Sequence, residues 1–292
     1  MNFLKNLVKK KIKKITVWSY LDELKSEKKE VLSAVNKVLD SGILILGDNV
    51  KEFENKFSEY CNSNYGVGVN SATDALFLIM RSFGLKKGDE VISVSNTAVP
   101  TISSIVAANG TPRFVDIDPN SYLMDVNQLE KSITNKTKGV IVVHLFGQCV
   151  DMDPVIDICK RRKIFLIEDC SQSHGAKYKN KIAGSMSDAS VFSFYPTKIL
   201  GGYGDAGMVV TNNKNINDNL RKLRFYGMEK TYYSILEEGY NSRLDEMHAA
   251  ILLNKLKHLD YYIKRRRKIA KVYQSRLKNT SLILPREMDY NK

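Results

Sequence analysis

The sequence predicts an α/β fold built on a largely parallel sheet, and three observations carry that expectation. Short apolar, β-branched runs recur along the chain, helix-patterned segments lie between several of them, and 292 residues suffice for one large domain with a smaller companion. Strands are expected at residues 67–69, 91–94, 113–115, 139–144, 164–167, 189–194 and 208–211. Helical periodicity covers 72–83, 99–108 and 153–162. Strands alternating with helices imply βαβ units with right-handed crossovers. Residues 216–225 and 243–278 also read as helical. The second stretch is long and basic and is expected to lead away from the large domain. A last strand signal falls at 282–284. The expected division is a basic extension (1–16), a large domain (17–245) and the start of a small, apparently incomplete C-terminal α+β domain (246–292).

Composition narrows the class. An apolar content of 43% with 26% charged residues is that of a globular chain with a packed core. No apolar run approaches the ~20 residues that span a bilayer. Residues 1–15 do not read as a secretory signal, because lysines interrupt every apolar stretch. Cys61, Cys149, Cys159 and Cys170 are scattered without a CxxC pair, so reduced thiols in a cytoplasmic protein are expected, with neither disulfides nor a metal site. The net charge of +13 points toward nucleic acid only until it is mapped. Residues 1–14 hold six lysines and no acid, and 255–278 hold ten Lys/Arg against Asp260, which leaves the rest of the chain at −2. A near-neutral body argues against a nucleic-acid partner.

The candidate chemistry sits where such a sheet places ligands, beyond the carboxyl ends of strands. Asn70-Ser71-Ala72-Thr73 joins a strand to a helix with small hydroxyl residues. A helix start offers free N–H groups and partial positive charge, which suits an anion, although Ser71 and Thr73 also read as plain capping residues. Glu168-Asp169 closes another strand, and the Asp169 carboxylate there suits a protonated pyridine nitrogen or simply ends the strand. Gln172 and His174 follow closely, His174 equally well as a structural hydrogen-bonding residue. Ser193-Phe194-Tyr195-Pro196-Thr197-Lys198 places a hydroxyl five residues before a lysine. That spacing suits a lysine that holds an aldehyde cofactor as an imine while the serine binds the cofactor phosphate, against the alternative of a solvated loop lysine. Four glycines in 201–207 allow tight backbone turns beside a ligand. Order and spacing are more specific than any one motif: a phosphate turn, an acid about 100 residues on, then hydroxyl and lysine within 30 more.

These residues, with Gly88-Asp89-Glu90-Val91, Val115-Asp116-Ile117-Asp118, His144-Leu145-Phe146-Gly147-Gln148 and Gly239 to Glu246, resemble the sugar-nucleotide aminotransferases of the DegT/DnrJ/StrS group, from about Trp18 to Pro285. The resemblance implies a fold-type I pyridoxal-phosphate (PLP) enzyme with a mostly parallel seven-stranded sheet between helices. It implies Lys198 as the imine lysine, Asp169 at the pyridine nitrogen and Gln172 at the ring hydroxyl. Ser71, Ala72, Thr73 and Ser193 become the phosphate cradle. Asn241 becomes a residue donated by a neighbouring subunit, so a homodimer with shared sites is implied. Relatives that dehydrate sugars have histidine at the lysine position, so Lys198 favours transamination over a PLP-dependent dehydratase. A non-catalytic, regulatory binder of PLP or sugar is the remaining alternative.

The wording Asn96-Thr97-Ala98-Val99-Pro100-Thr101 and Arg224-Phe225-Tyr226-Gly227-Met228 looks like the branch that aminates C3 of dTDP-linked 3-keto-6-deoxyhexoses. The expected reaction is amine transfer from glutamate to such a nucleotide-linked keto-sugar, for surface polysaccharide or glycan synthesis. Two features depart from the group. Ala98 stands where many members stack an aromatic ring on the cofactor, and members usually run several dozen residues longer. Phe3, Leu4, Leu7, Val8, Ile12 and Ile15 recur at helical spacing among lysines. That pattern permits membrane-surface association but reads better as a solvated terminus.

Overall fold

The computed structural model describes residues 16–230 and 232–291. The amphipathic pattern read within residues 1–15 therefore lies outside the described residues. Two helices, α1 (Leu21–Ser41) and α2 (Asp48–Tyr60), precede the sheet. The alternating part runs β1 (Tyr65–Val69), α3 (Ala72–Ser82), β2 (Glu90–Val94), α4 (Val99–Ala107), β3 (Thr111–Val115), α5 (Val126–Ser132), β4 (Thr137–Val143), α6 (Met152–Arg162) and β5 (Phe165–Asp169). A small hairpin, β6 (Lys177–Tyr178) and β7 (Lys181–Ile182), leads to β8 (Ala189–Ser193), β9 (Gly207–Thr211) and α7 (Lys214–Leu223). A ribbon of β10 (Met228–Lys230) and β11 (Tyr233–Ser234) follows, then α8 (Glu246–Leu256) and α9 (Leu259–Leu277).

All seven expected strands join one sheet, in the order β1-β9-β8-β5-β4-β2-β3. β8, β5, β4, β2 and β3 pair parallel, and β9 runs antiparallel to both its neighbours, β1 and β8. Alternate side chains leave by opposite faces. Ile92, Val140 and Val142 enter one apolar layer with Phe53 and Phe57 of α2, Val155 of α6 and Leu252 of α8. Val91 and Ile141 enter the other with Leu76 and Ile79 of α3, Ile105 of α4 and Leu220 of α7. Both faces are thus covered, as a parallel sheet requires. Among the described residues no helix is long and apolar enough to cross a membrane.

Two expectations are corrected. The helix read across 243–278 is two helices. Asp245 caps α8 by accepting the His248 N–H at 2.8 Å, which leaves 243–245 outside it. At the far end His258 N–H tightens onto Lys255 O at 3.0 Å, and α9 begins anew. No strand forms at 282–284. A strand needs a ladder partner, and among the described residues none pairs with this segment. The chain instead returns to the large body: Tyr290 O accepts Lys179 N–H at 2.6 Å, and the Asn291 side chain bonds Cys149 N (2.9 Å) and Cys149 O (3.0 Å).

Behind the end of β1 lies a buried charge cluster. Glu54 of α2 accepts Gly68 N–H at 2.8 Å and pairs with Arg224 and with Arg221 (3.0 Å). Arg224 also donates to Gly68 O at 2.7 Å. These bonds tie α2 and the chain after α7 to the strand that delivers Ser71.

Candidate active site

A cleft of about 320 Å³ opens at the carboxyl ends of the parallel strands. It is lined by Ser71, Ala72 and Thr73 after β1, Thr101 of α4, Asp169 at the end of β5 with Gln172 beyond it, and Ser193 at the end of β8 with Lys198 beyond it. Seven of the eight residues expected at the site therefore meet there. Asn241 does not: it is exposed and lies outside this cleft.

The anion-binding end is built by local chemistry. Ser71 has extended backbone (φ −157°) and caps α3, its Oγ accepting Asp74 N–H at 3.1 Å. The cap does not preclude an anion there, because the first-turn amides lack intrahelical acceptors. Gly207 of β9 lies directly behind. A Cβ there would stand 2.4 Å from Ser71 C and 2.5 Å from Ala72 N, so only glycine allows strand and turn to touch. Ser193, buried at the end of β8, contributes a second hydroxyl, with Oγ accepting Tyr195 N–H at 3.3 Å.

Asp169 is buried, and its oxygens are aimed by two donors. Oδ2 accepts Thr101 Oγ1 at 2.9 Å, and Oδ1 accepts Ser171 N–H at 3.1 Å. Thr101 has one hydroxyl proton and gives it to Asp169, so Thr97 Oγ1, 2.7 Å away, must donate to Thr101. Burial pushes the Lys198 amine below the ordinary lysine range, and the Asp169 charge only partly opposes this. A fraction of neutral amine is what a nucleophilic lysine needs. Ala98 lines the cleft as a methyl group, and Leu145, Thr97 and Pro100 supply the wall around it.

His174 lies behind the cleft rather than in its lining. It packs edge-on to Phe57 (ring centroids 6.2 Å apart) and Phe192 (5.3 Å), and among the described residues neither ring nitrogen makes a hydrogen bond of normal geometry. Burial, and then repulsion from Lys198, push its pKa down to about 3. It is a neutral core residue. His144, Glu168 and Cys170 cluster beneath Asp169. Val150 N–H donates to His144 Nδ1 (3.2 Å), so Nε2 carries the proton that faces Glu168 Oε1 at 3.1 Å. Glu168 also accepts Gly184 N–H, Met186 N–H and Ser190 Oγ, which leaves no free lone pair directed at a cation. Burial pushes Glu168 upward, yet these bonds together hold its pKa below the usual carboxylate range.

The donor set fits pyridoxal phosphate. One desolvated amine, one buried carboxylate and a hydroxyl-rich helix start converge on a cleft in the size range of small-molecule sites. Thr101, which aims Asp169, was not legible in the sequence. A hydroxyl one turn into a helix carries no signal that it reaches an acid 68 positions away.

Comparison with known proteins agrees with this geometry. The sequence model of the DegT/DnrJ/EryC1/StrS aminotransferase family matches residues 25–292. The chain is 48% identical over 257 residues to the dTDP-3-amino-3,4,6-trideoxy-alpha-D-glucose transaminase of Micromonospora megalomicea subsp. nigra, covering 88% of this chain and 69% of that one. It is 46% identical over 261 residues to the dTDP-3-amino-3,6-dideoxy-alpha-D-galactopyranose transaminase of Aneurinibacillus thermoaerophilus, covering 89% and 72%. Among solved structures, S. venezuelae DesV in complex with a ketimine intermediate superimposes with a TM-score of 0.92 at 37% identity, covering 94% of this chain and 74% of that one.

Proposed function

The chain belongs to the DegT/DnrJ/EryC1/StrS aminotransferase family, and on that premise we propose that it transfers an amino group from glutamate to C3 of a dTDP-linked 3-keto-6-deoxyhexose. It is a PLP-dependent transaminase that acts on a nucleotide-linked keto-sugar. The finer reading of donor, carbon and sugar rests on the wording of residues 96–101 and 224–228 and on the two named relatives. The observation that carries the chemistry is the desolvated Lys198 amine in one cleft with Asp169 and the Ser71 turn.

Bound there, PLP supplies the electron sink that lets an amino group pass between two carbonyl carbons. The amides and hydroxyls at Ser71, Ala72, Thr73 and Ser193 would hold its phosphate. Asp169, aimed by Thr101 and Ser171, would keep a proton on the pyridine nitrogen. Gln172 would meet the ring hydroxyl. Lys198 Nζ would anchor the cofactor and, once released, carry a proton between the substrate carbon and the cofactor. The exposed carboxamide of Asn241 suits a residue offered to a second copy, so a homodimer with shared sites belongs to the proposal. So do a cytoplasmic location, a role in surface-glycan synthesis, and a division into a cofactor domain (17–245) and the beginning of a second (246–292).

Borohydride reduction of the PLP-loaded protein, followed by peptide mapping, is expected to leave a pyridoxyl group on Lys198. Turnover with dTDP-linked 3-keto-sugars and glutamate should release 2-oxoglutarate. Absence of the adduct, or an adduct unchanged in Lys198→Ala, overturns the assignment of Lys198.

A further inference from the structure

The turn that would hold the cofactor phosphate has an unusual capping arrangement. Ser71-Ala72-Thr73-Asp74 has the spacing of a capping box, in which the cap hydroxyl takes the third amide and the third side chain takes the cap amide in return. Only the first half is made here. Asp74 N–H donates to Ser71 Oγ at 3.1 Å, but Asp74 Oδ2 accepts the hydroxyl of Ser242 at 2.7 Å. Among the described residues the Ser71 amide has no acceptor, so it remains available beside those of Ala72 and Thr73.

Ser242 is itself held firmly. It is 1% exposed, its N–H donates to Arg224 O at 2.9 Å, and its Oγ accepts Asn70 N–H at 3.2 Å. Arg224 is anchored in turn by Glu54 and Gly68 O. The serine therefore cannot follow Asp74 if the helix start shifts. We propose that Ser242 is a positioning residue that turns the Asp74 carboxylate away from the phosphate-binding turn. The bond does two things at once. It keeps the Ser71 amide free as a donor, and it keeps a negative charge out of a site meant for a dianion. This rests on the reading that the Ser71 turn holds the cofactor phosphate.

Without the Ser242 hydroxyl, Asp74 is free to complete the capping box on Ser71. That would block one phosphate donor and place like charges side by side. The loss must depend on the phosphate and on Asp74, which a merely structural role would not require.

Affinities of the full-length protein for PLP and for pyridoxal, which lacks the phosphate, test this in Ser242→Ala, Asp74→Ala and the double variant. In Ser242→Ala, PLP should bind about tenfold more weakly while pyridoxal changes by less than about twofold. Asp74→Ala should resemble the wild type for both. The double variant should recover PLP affinity to within about threefold of wild type. Equal loss of both ligands, loss of neither, or a double variant as weak as Ser242→Ala overturns the proposal. A wild-type chain that takes up neither ligand overturns the cofactor reading and this inference with it, an outcome distinct from the others. Should Ser242→Ala fail to melt cooperatively, Ser242→Cys, similar in shape with a weak donor, is judged by the same criteria.

Discussion

Removing the Glu54 carboxylate should destabilise the fold more than any exposed ion pair does. Glu54→Leu takes the acceptor from three donors: Gly68 N–H at 2.8 Å, Arg224 and Arg221 at 3.0 Å. The three differ in what remains to them. The Arg221 side chain is 38% exposed and can turn to water, whereas that of Arg224 is 7% exposed and, among the described residues, keeps only the Gly68 carbonyl, at 2.7 Å. Burial already pushes Arg224 below the usual guanidinium range with Glu54 beside it. Leaving that charge uncompensated costs about 3–5 kcal/mol. A chain of a few hundred residues has roughly 5–15 kcal/mol in all, so the melting midpoint should fall on the order of 10 °C. Urea and thermal denaturation read this directly. Glu54→Gln, which keeps an acceptor, should lose less, and Glu54→Leu with Arg224→Met should recover part of the loss because no lone charge stays behind. A loss in Glu54→Leu below about 1 kcal/mol, the range of surface pairs, would refute the reasoning.

Three further outcomes follow from the same packing. Gly207→Ala drives a Cβ into the backbone of Ser71 and Ala72, so it should cost about 1–3 kcal/mol in urea and weaken PLP uptake measurably in equilibrium dialysis. His174 titrates near 3 in the fold against 6.5 ordinarily. Between those values the unfolded chain binds a proton that the folded one refuses, so stability falls as pH drops through the window. From pH 7 to pH 5 this amounts to about 2 kcal/mol. His174→Phe should flatten the pH dependence of the urea midpoint by that amount, and an unchanged slope would count against the assignment. Lys198→Met should abolish pyridoxyl labelling yet raise the urea midpoint of the cofactor-free chain, since burial disfavours the charged amine it removes.

The chain determined its strands largely by itself. Runs such as Val140–Val143 are buried on both faces, so local apolar content and β-branching coincide with the demand of the fold. The Ser193–Lys198 and Glu168–Asp169 motifs were legible for a related reason, because ligand groups in this architecture sit within a few residues of a strand end. Tertiary structure alone decided which partners aim them. That Thr101 reaches Asp169, that Ser242 holds Asp74 and that Glu54 meets Arg224 are contacts across 68, 168 and 170 positions. No local periodicity encodes such distances. The break at Lys257–His258, the missing strand at 282–284 and the antiparallel course of β9 were set in the same way, by what lies beside each segment once the sheet has closed around it.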